Sequence, residues 1–79
     1  MPTVLRWQGF RFYFYSHEPN EPSHVHVDRD DFSAKFWLEP RVEIAANYGL
    51  GQRRLARAQR LVLEHEDEIR DAWRAHFGG

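Results

Sequence analysis

The chain contains no cysteine, so disulfide bonds and thiolate metal sites are both excluded. Any metal ligands must therefore be histidines or carboxylates. No apolar run approaches the roughly 18 residues of a membrane span, and no basic and apolar leader opens the chain. We expect a cytoplasmic protein without a membrane partner. The net charge of -1 argues against nucleic-acid binding driven by global charge, but it allows a local basic patch.

Aromatic residues, by contrast, are abundant, at 15% of 79 residues. A chain this short buries only about 60% of the surface that it exposes when unfolded. Large rings give the most buried area per residue. We therefore predict a single domain over residues 1–79 with an aromatic core.

The first half of the chain has the composition and alternation of β-strands. Residues 3–7 and 10–16 are predicted to form a hairpin, because Gln8-Gly9 between them can supply the positive φ angles of a tight turn. In the second arm, the two-residue period places three phenylalanines on a core face. Arg11 and Tyr13 fall on the other face, which is either a half-exposed outer surface with exposed tyrosines or a recognition platform.

The remainder of the chain completes the predicted fold. Residues 24–28 and 32–38 are predicted strands joined by a turn at 29–31, and residues 41–45 form a short last strand. From residue 52, apolar side chains recur at helical spacing and no Pro or Gly interrupts them until residue 78. The fold class is α+β: an antiparallel sheet of four to five short strands, with one long C-terminal helix packed on one face.

The segment with the most chemical potential reads HEPNEPSHVHVD, from His17 to Asp28. Residues 17–23 form the His/Pro segment, a loop stiffened by its prolines. After it, strand alternation places His24, His26 and Asp28 on the face opposite the two valines, with the imidazoles roughly 7 Å apart along the strand. This spacing suits two ligands of one metal ion.

Two interpretations of the histidine pair stay open. In the first, His24 and His26 are catalytic, or bind a divalent metal with Asp28 and a further ligand from His17, Glu18 or Tyr15. In the second, the pair is structural or faces a partner, and each ring bonds a neighbouring carboxylate or tyrosine.

The predicted helix has an uneven charge distribution. Its first half is basic and its second half is acidic. This order opposes the helix dipole, and each charge at the unfavourable end destabilises the helix by about 0.3–1 kcal/mol. A basic helix start suits a phosphate or an acidic partner surface, whereas the alternative is a solvated charged face with a Glu66–Arg70 bridge. His65 and His76 are expected to pack at the edge of the core. The basic residues are Arg53, Arg54, Arg57 and Arg60.

Four stretches of the chain carry a family resemblance: MPTVLR, FRFYFYSHEPNEPSHVHVDRD, SAKFWLEP and EIRDAWRAHFG. They are similar to a small bacterial family catalogued as domain of unknown function 4160, over essentially the whole chain. Ser23 departs from the proline common at its position, and Arg53 and Arg54 depart from a helix start with a serine cap and a glutamate. The resemblance implies a component of a toxin-antitoxin-type pair, encoded beside a second small protein.

The leading hypothesis is thus a small binding protein that docks its cognate protein partner or a nucleic acid, RNA or DNA. The alternative is a small nuclease toxin, metal-dependent or acid/base, that uses His24 and His26. A third hypothesis is a homodimer formed through the exposed sheet edge or through the oppositely charged halves of the helix. The predicted binding residues are His17, Glu18, Asn20, Arg11, Tyr13, Lys35, Arg53, Arg57 and Arg60.

Overall fold

A computed structural model describes residues 3–14 and 22–77 of the chain. Within these residues, the class is α+β, and the sheet has five antiparallel strands in the order β1-β2-β3-β4-β5. Each strand pairs with its neighbours in sequence. The elements are β1 Thr3–Trp7, β2 Phe10–Tyr13, β3 His24–Arg29, β4 Phe32–Trp37, β5 Glu43–Tyr48, α1 Gln52–Glu64 and α2 Glu66–Phe77.

The first hairpin turns where the sequence predicts. Gln8 and Gly9 have φ angles of 51° and 83°, the pair of positive values that a tight two-residue turn needs. In the second hairpin the turn is shorter than predicted. Arg29 belongs to β3 and pairs with Phe32, so that only Asp30 and Asp31 connect the strands.

The core lies between one face of the sheet and the two helices. Cross-strand pairing aligns Phe12 with Val27 and Val27 with Ala34, and all three side chains are buried. Their apolar neighbours on the helices are Ala58, Leu61, Val62 and Ile69. The predicted phenylalanine face is confirmed as core, since Phe10, Phe12 and Phe14 are each no more than 1% exposed.

The prediction of one long helix is wrong, because the helix is interrupted at His65. The backbone there leaves helical geometry, with φ at -116° and ψ at 26°. His65 is still hydrogen-bonded to both helices: its N–H donates to Leu61 O, and its carbonyl oxygen accepts from the Ile69 N–H, both at 3.0 Å. No Pro or Gly marks this position, so the sequence pattern continues through it.

The interruption also corrects the expected conflict between charge order and helix dipole. Glu66, Asp67 and Glu68 form the first turn of α2, while Arg74 and His76 lie in its last turn. Acids at the N-terminus and bases at the C-terminus stabilise a helix. The unfavourable order therefore holds for α1 alone, whose first turn contains no acid.

The last strand is displaced from its predicted position at residues 41–45. Val42 is buried just before β5, and the strand continues through Asn47 and Tyr48, which were predicted as loop. Asn47 anchors this end: its amide donates to Leu50 O at 2.9 Å, and its Oδ1 accepts from the Leu50 N–H at 3.0 Å. Ala and Asn are weak strand formers, so composition hides a strand that pairing with β4 holds in place.

Candidate functional site

The face of the sheet opposite the valine side chains gathers most of the predicted strand residues, and at its end His24 also reaches Trp73 of α2. Tyr13 pairs with His26 and His26 with Lys35 in adjacent strands. The same face carries Arg11 opposite Asp28. His24, His26 and Asp28 thus share the face opposite the valines, as alternation predicts. We call this surface the sheet site, and its members are Arg11, Tyr13, His24, His26, Asp28, Lys35 and Trp37.

A bonded cluster holds the Asp28 carboxylate within the sheet site. The Tyr13 hydroxyl donates to Asp28 Oδ1 at 2.9 Å. An Arg11 Nη atom lies 3.6 Å from the other carboxylate oxygen, Oδ2. Both oxygens of Asp28 therefore face a donor, and the carboxylate has a fixed position.

Tyr13 is buried, at 4% exposure, so the expectation of an exposed tyrosine here is wrong. The Arg11 guanidinium lies 4.6 Å from the centroid of its ring and covers it. The His26 ring is also stacked on Tyr13, at 5.4 Å between centroids. What the site presents outward is the cation above the ring.

The histidine pair is more enclosed than a half-exposed strand predicts. His24 is 0% and His26 is 9% exposed, and their ring centroids are 5.1 Å apart. His24 Nδ1 lies 2.8 Å from the Pro22 carbonyl oxygen, and since a carbonyl can only accept, Nδ1 carries the proton. Trp37 and Trp73 contact the same imidazole, with centroids at 5.8 Å and 5.1 Å.

Within the described residues, the predicted metal site has no complete set of ligands. Among residues 3–14 and 22–77, no group of three or more His, Asp or Glu side chains is placed to hold a metal ion. Asp28 is engaged by Tyr13 and Arg11. The other proposed ligands, His17, Glu18 and Tyr15, lie outside the described residues, as does the predicted binding residue Asn20.

Trp37 belongs to the sheet site, although sequence analysis assigned it no role. The Lys35 ammonium lies 4.6 Å from the centroid of the indole ring, and both residues are partly exposed. The only sequence signal was their spacing of two residues, which puts both on one face of β4. Lys35 and Arg11 thus each rest on an aromatic ring.

The basic half of α1 forms a second surface, at the end of the sheet where the two hairpins turn. Arg57 Nη1 donates to the side-chain oxygen of Gln8 at 2.8 Å, and Arg54 pairs with Asp30 at 3.1 Å. An open groove of about 430 Å³ lies here between the first hairpin turn and α1. We call it the arginine groove, and the predicted residues that line it are Arg53, Arg57 and Arg60.

Gln8 was missed as a site residue. Its role in the sequence is that of a turn former, and nothing in the local pattern predicts contact with a helix 49 residues later. The hairpin geometry brings it to α1. The structure therefore separates those predicted binding residues that it describes into two groups, one on the sheet site and one in the arginine groove.

A meander sheet with helices on one face and a cation-bearing polar face on the other defines a small α+β protein with two candidate binding surfaces. The chain belongs to the family described as domain of unknown function (DUF4160), whose match spans residues 9–74. This match includes residues of both surfaces. No curated protein and no solved structure matches the chain. None of the helices within the described residues is long and apolar enough to cross a membrane.

Proposed function

We propose that this protein is a cytoplasmic binding module of a toxin-antitoxin-type pair, which docks a small cognate protein through the sheet site and the adjoining His/Pro segment. His17, Glu18 and Asn20 of that segment are included in the proposal as predicted contact residues. The premise of the proposal is that the side chains of the sheet site are arranged to bind a partner and not to transfer protons.

The observation that carries the proposal is the cluster of Tyr13, Asp28 and Arg11. An acid or base in catalysis must be able to reach a substrate proton. The Asp28 carboxylate instead accepts a hydrogen bond from the Tyr13 hydroxyl at 2.9 Å and lies 3.6 Å from an Arg11 Nη atom. Its role is therefore to hold these two side chains in position. The contact with Asp28 orients the Arg11 guanidinium over the Tyr13 ring. Groups whose orientation is fixed before binding lose less entropy on binding.

The composition of the sheet site fits a protein partner. Tyr, Trp and Arg are the residue types that contribute most to binding energy in protein interfaces. Here Arg11 and Lys35 each lie 4.6 Å from an aromatic centroid, and the two strands that carry them flank β3. A partner with a carboxylate or a carbonyl edge would meet two cations whose charged groups already lie over aromatic rings.

Co-purification with the small protein encoded beside it tests the proposal. We expect a 1:1 or 2:2 complex, and we expect Lys35→Glu to weaken it by about tenfold or more, as for a charge pair at an interface core. Arg74→Glu is the matched control, because it makes the same charge change at an exposed site on α2. Retained affinity in Lys35→Glu, together with retained affinity in a His17→Ala/Asn20→Ala variant, would contradict the proposal.

The nuclease remains a second candidate because the two imidazoles are 5.1 Å apart and the proton of His24 is fixed at Nδ1. In that hypothesis, Nε2 of His24 is the atom that accepts a proton or binds a divalent metal. Labelled RNA and DNA are incubated with the protein in Mn²⁺, Mg²⁺ or EDTA. Cleavage that is lost in both His24→Gln and His26→Gln, with circular dichroism unchanged, would favour the nuclease over the binding module.

A titration with Zn²⁺ or Mn²⁺ separates the two candidates without needing a substrate. The histidine ring signals are followed by NMR. Selective changes at His24 and His26 with micromolar metal support the nuclease. Signals that respond to the partner protein and not to metal support the binding module.

The homodimer also stays a prediction. Ile44 and Tyr48 on the edge strand β5 are 44% and 65% exposed, and an edge strand offers unpaired backbone groups. Sedimentation equilibrium of wild type and Ile44→Lys checks it. A mass that is monomeric in both proteins would remove this hypothesis.

A further inference from the structure

We infer that the arginine groove is a binding site for the phosphodiester backbone of a nucleic acid, separate from the sheet site. The groove lies where α1 passes the Gln8-Gly9 turn, whereas His24 lies at the opposite end of β3. This inference concerns a second ligand and a second surface, so it stands whether or not the protein partner binds as proposed.

The charges in the groove are only partly compensated. Arg60 is 3.3 Å from Glu64, but among the described residues neither Arg53 nor Arg57 has a carboxylate within salt-bridge distance. On the adjoining side of α1, Arg54 is paired with Asp30 at 3.1 Å. With three arginines and one glutamate in the lining, the groove keeps a net charge of +2, while the whole chain carries -1.

Gln8 orients a cation without neutralising it. Its side-chain oxygen accepts from Arg57 Nη1 at 2.8 Å, and its backbone oxygen accepts from Arg29 Nη1 at 2.5 Å. Because an amide is neutral, Arg57 retains its full charge and has further N–H groups for a ligand. The positive-φ turn that positions Gln8 is part of the hairpin itself, so this orientation is built into the fold.

The shape of the groove favours a linear polyanion over a single small anion. Arg53, Arg57 and Arg60 are spaced four and three residues apart, so they share one face of α1 and span about 10 Å of its axis. Several phosphates in a row can contact such a series. The positive end of the helix dipole adds to the same field, since no acid occupies the first turn of α1.

The lining also favours nucleic acid over an acidic protein. Protein partners gain most of their affinity from apolar or aromatic anchors in desolvated pockets. Leu61, the large apolar residue of the groove, is already 5% exposed and packed in the core, and the described lining has no aromatic ring. What remains is guanidinium charge, whose planar fork of donors matches the geometry of a phosphate group.

The test is fluorescence anisotropy with labelled, mixed-sequence 20-nucleotide single-stranded RNA, single-stranded DNA and duplex DNA. The three probes separate the sources of the phosphodiester. For the preferred probe, we expect binding at about 50 mM salt that weakens steeply as salt rises, because bound counterions are released. In Arg53→Glu/Arg57→Glu, the Kd should rise about tenfold or more, and the slope of log K against log salt should fall by about 2.

The control is Arg41→Glu/Arg74→Glu, which changes the net charge by the same amount at exposed sites outside the groove. Its Kd should stay within about threefold of wild type. Equal losses in the two double variants would show that global charge alone decides binding, and absence of binding to all three probes at low salt would overturn the inference. The groove variant should still bind the cognate protein, and Lys35→Glu should still bind the preferred nucleic acid, so that the two proposed sites are tested separately.

Discussion

The indole of Trp7 lies face to face with the imidazole of His65, with ring centroids 3.5 Å apart and planes inclined by 15°. The contact joins the edge strand β1 to the single residue between α1 and α2. The helix leaves helical geometry at His65, where no Pro or Gly stands, and this departure accompanies a flat contact with the sheet. His65 packs at the edge of the core, as the sequence predicts.

We predict that this stack contributes a measurable coupling energy. In a double-mutant cycle of Trp7→Leu and His65→Gln, urea unfolding should give a coupling of about 0.5–1.5 kcal/mol, typical of aromatic pairs. Tyr48→Leu is the control, because Tyr48 is an aromatic residue that is 65% exposed, and its stability change should stay below about 0.5 kcal/mol. Additive effects of Trp7→Leu and His65→Gln would contradict a stabilising stack.

We predict that Arg70 is the main polar anchor of α2. Its guanidinium donates to Leu38 O and to Glu66, at 2.8 Å for the latter, and lies 3.5 Å from Glu39. Only 18% of its side chain is exposed, so Arg70→Ala should lower the free energy of unfolding by about 1–3 kcal/mol. Arg70→Lys should recover little, because a point charge cannot reproduce a planar fork.

The matched control for Arg70 is Arg74, one helical turn later. Its side chain is 60% exposed and pairs with Asp71 at 2.9 Å. Arg74→Ala should therefore cost less than about 0.5 kcal/mol. Equal costs for Arg70→Ala and Arg74→Ala in thermal unfolding would show that the Leu38 contact does not stabilise the fold.

We predict opposite effects for one substitution at two neighbouring glycines. Gly49 has φ at +103°, and a Cβ there would lie 2.5 Å from the Phe32 ring, so Gly49→Ser should cost about 1–2 kcal/mol. Gly51 is the N-cap of α1 with φ at -67° and nothing within 4 Å of an added Cβ. Gly51→Ser should stabilise by a few tenths of a kcal/mol through a side-chain cap, roughly the Ser-Gly difference at N-caps. Differential scanning calorimetry checks both, and a loss at Gly51 would contradict the assigned cap.

We predict that the Tyr13 hydroxyl matters for folding and for the sheet site together. Tyr13→Phe removes a 2.9 Å donor from the Asp28 carboxylate and should cost about 1–2 kcal/mol in urea unfolding. Tyr48→Phe is the matched control, since Tyr48 is 65% exposed, and its effect should be near zero. If Tyr13→Phe is also near zero, the cluster does not brace Asp28.

Much of the sheet was predictable because short-range chemistry specifies it. Gln8-Gly9 indicates a tight turn, and the alternation of Phe10, Phe12 and Phe14 with polar residues indicates a buried face. The placement of His24 and His26 on the face opposite the valines follows from the same period. Their burial did not follow, because Trp73 reaches His24 from a helix about 50 positions away in the chain.

The amino-acid sequence by itself thus determined the α+β class, the first hairpin, the start of α1 and the family, since each depends on local pattern or on likeness of the chain. Tertiary structure alone decided the break at His65, the extent of β5, the enclosure of Tyr13 and the meeting of Gln8 with Arg57. These features arise from contacts between residues far apart in the chain. Such contacts outweigh local preferences because burying a ring or satisfying a charged group is worth more than a residue's intrinsic propensity.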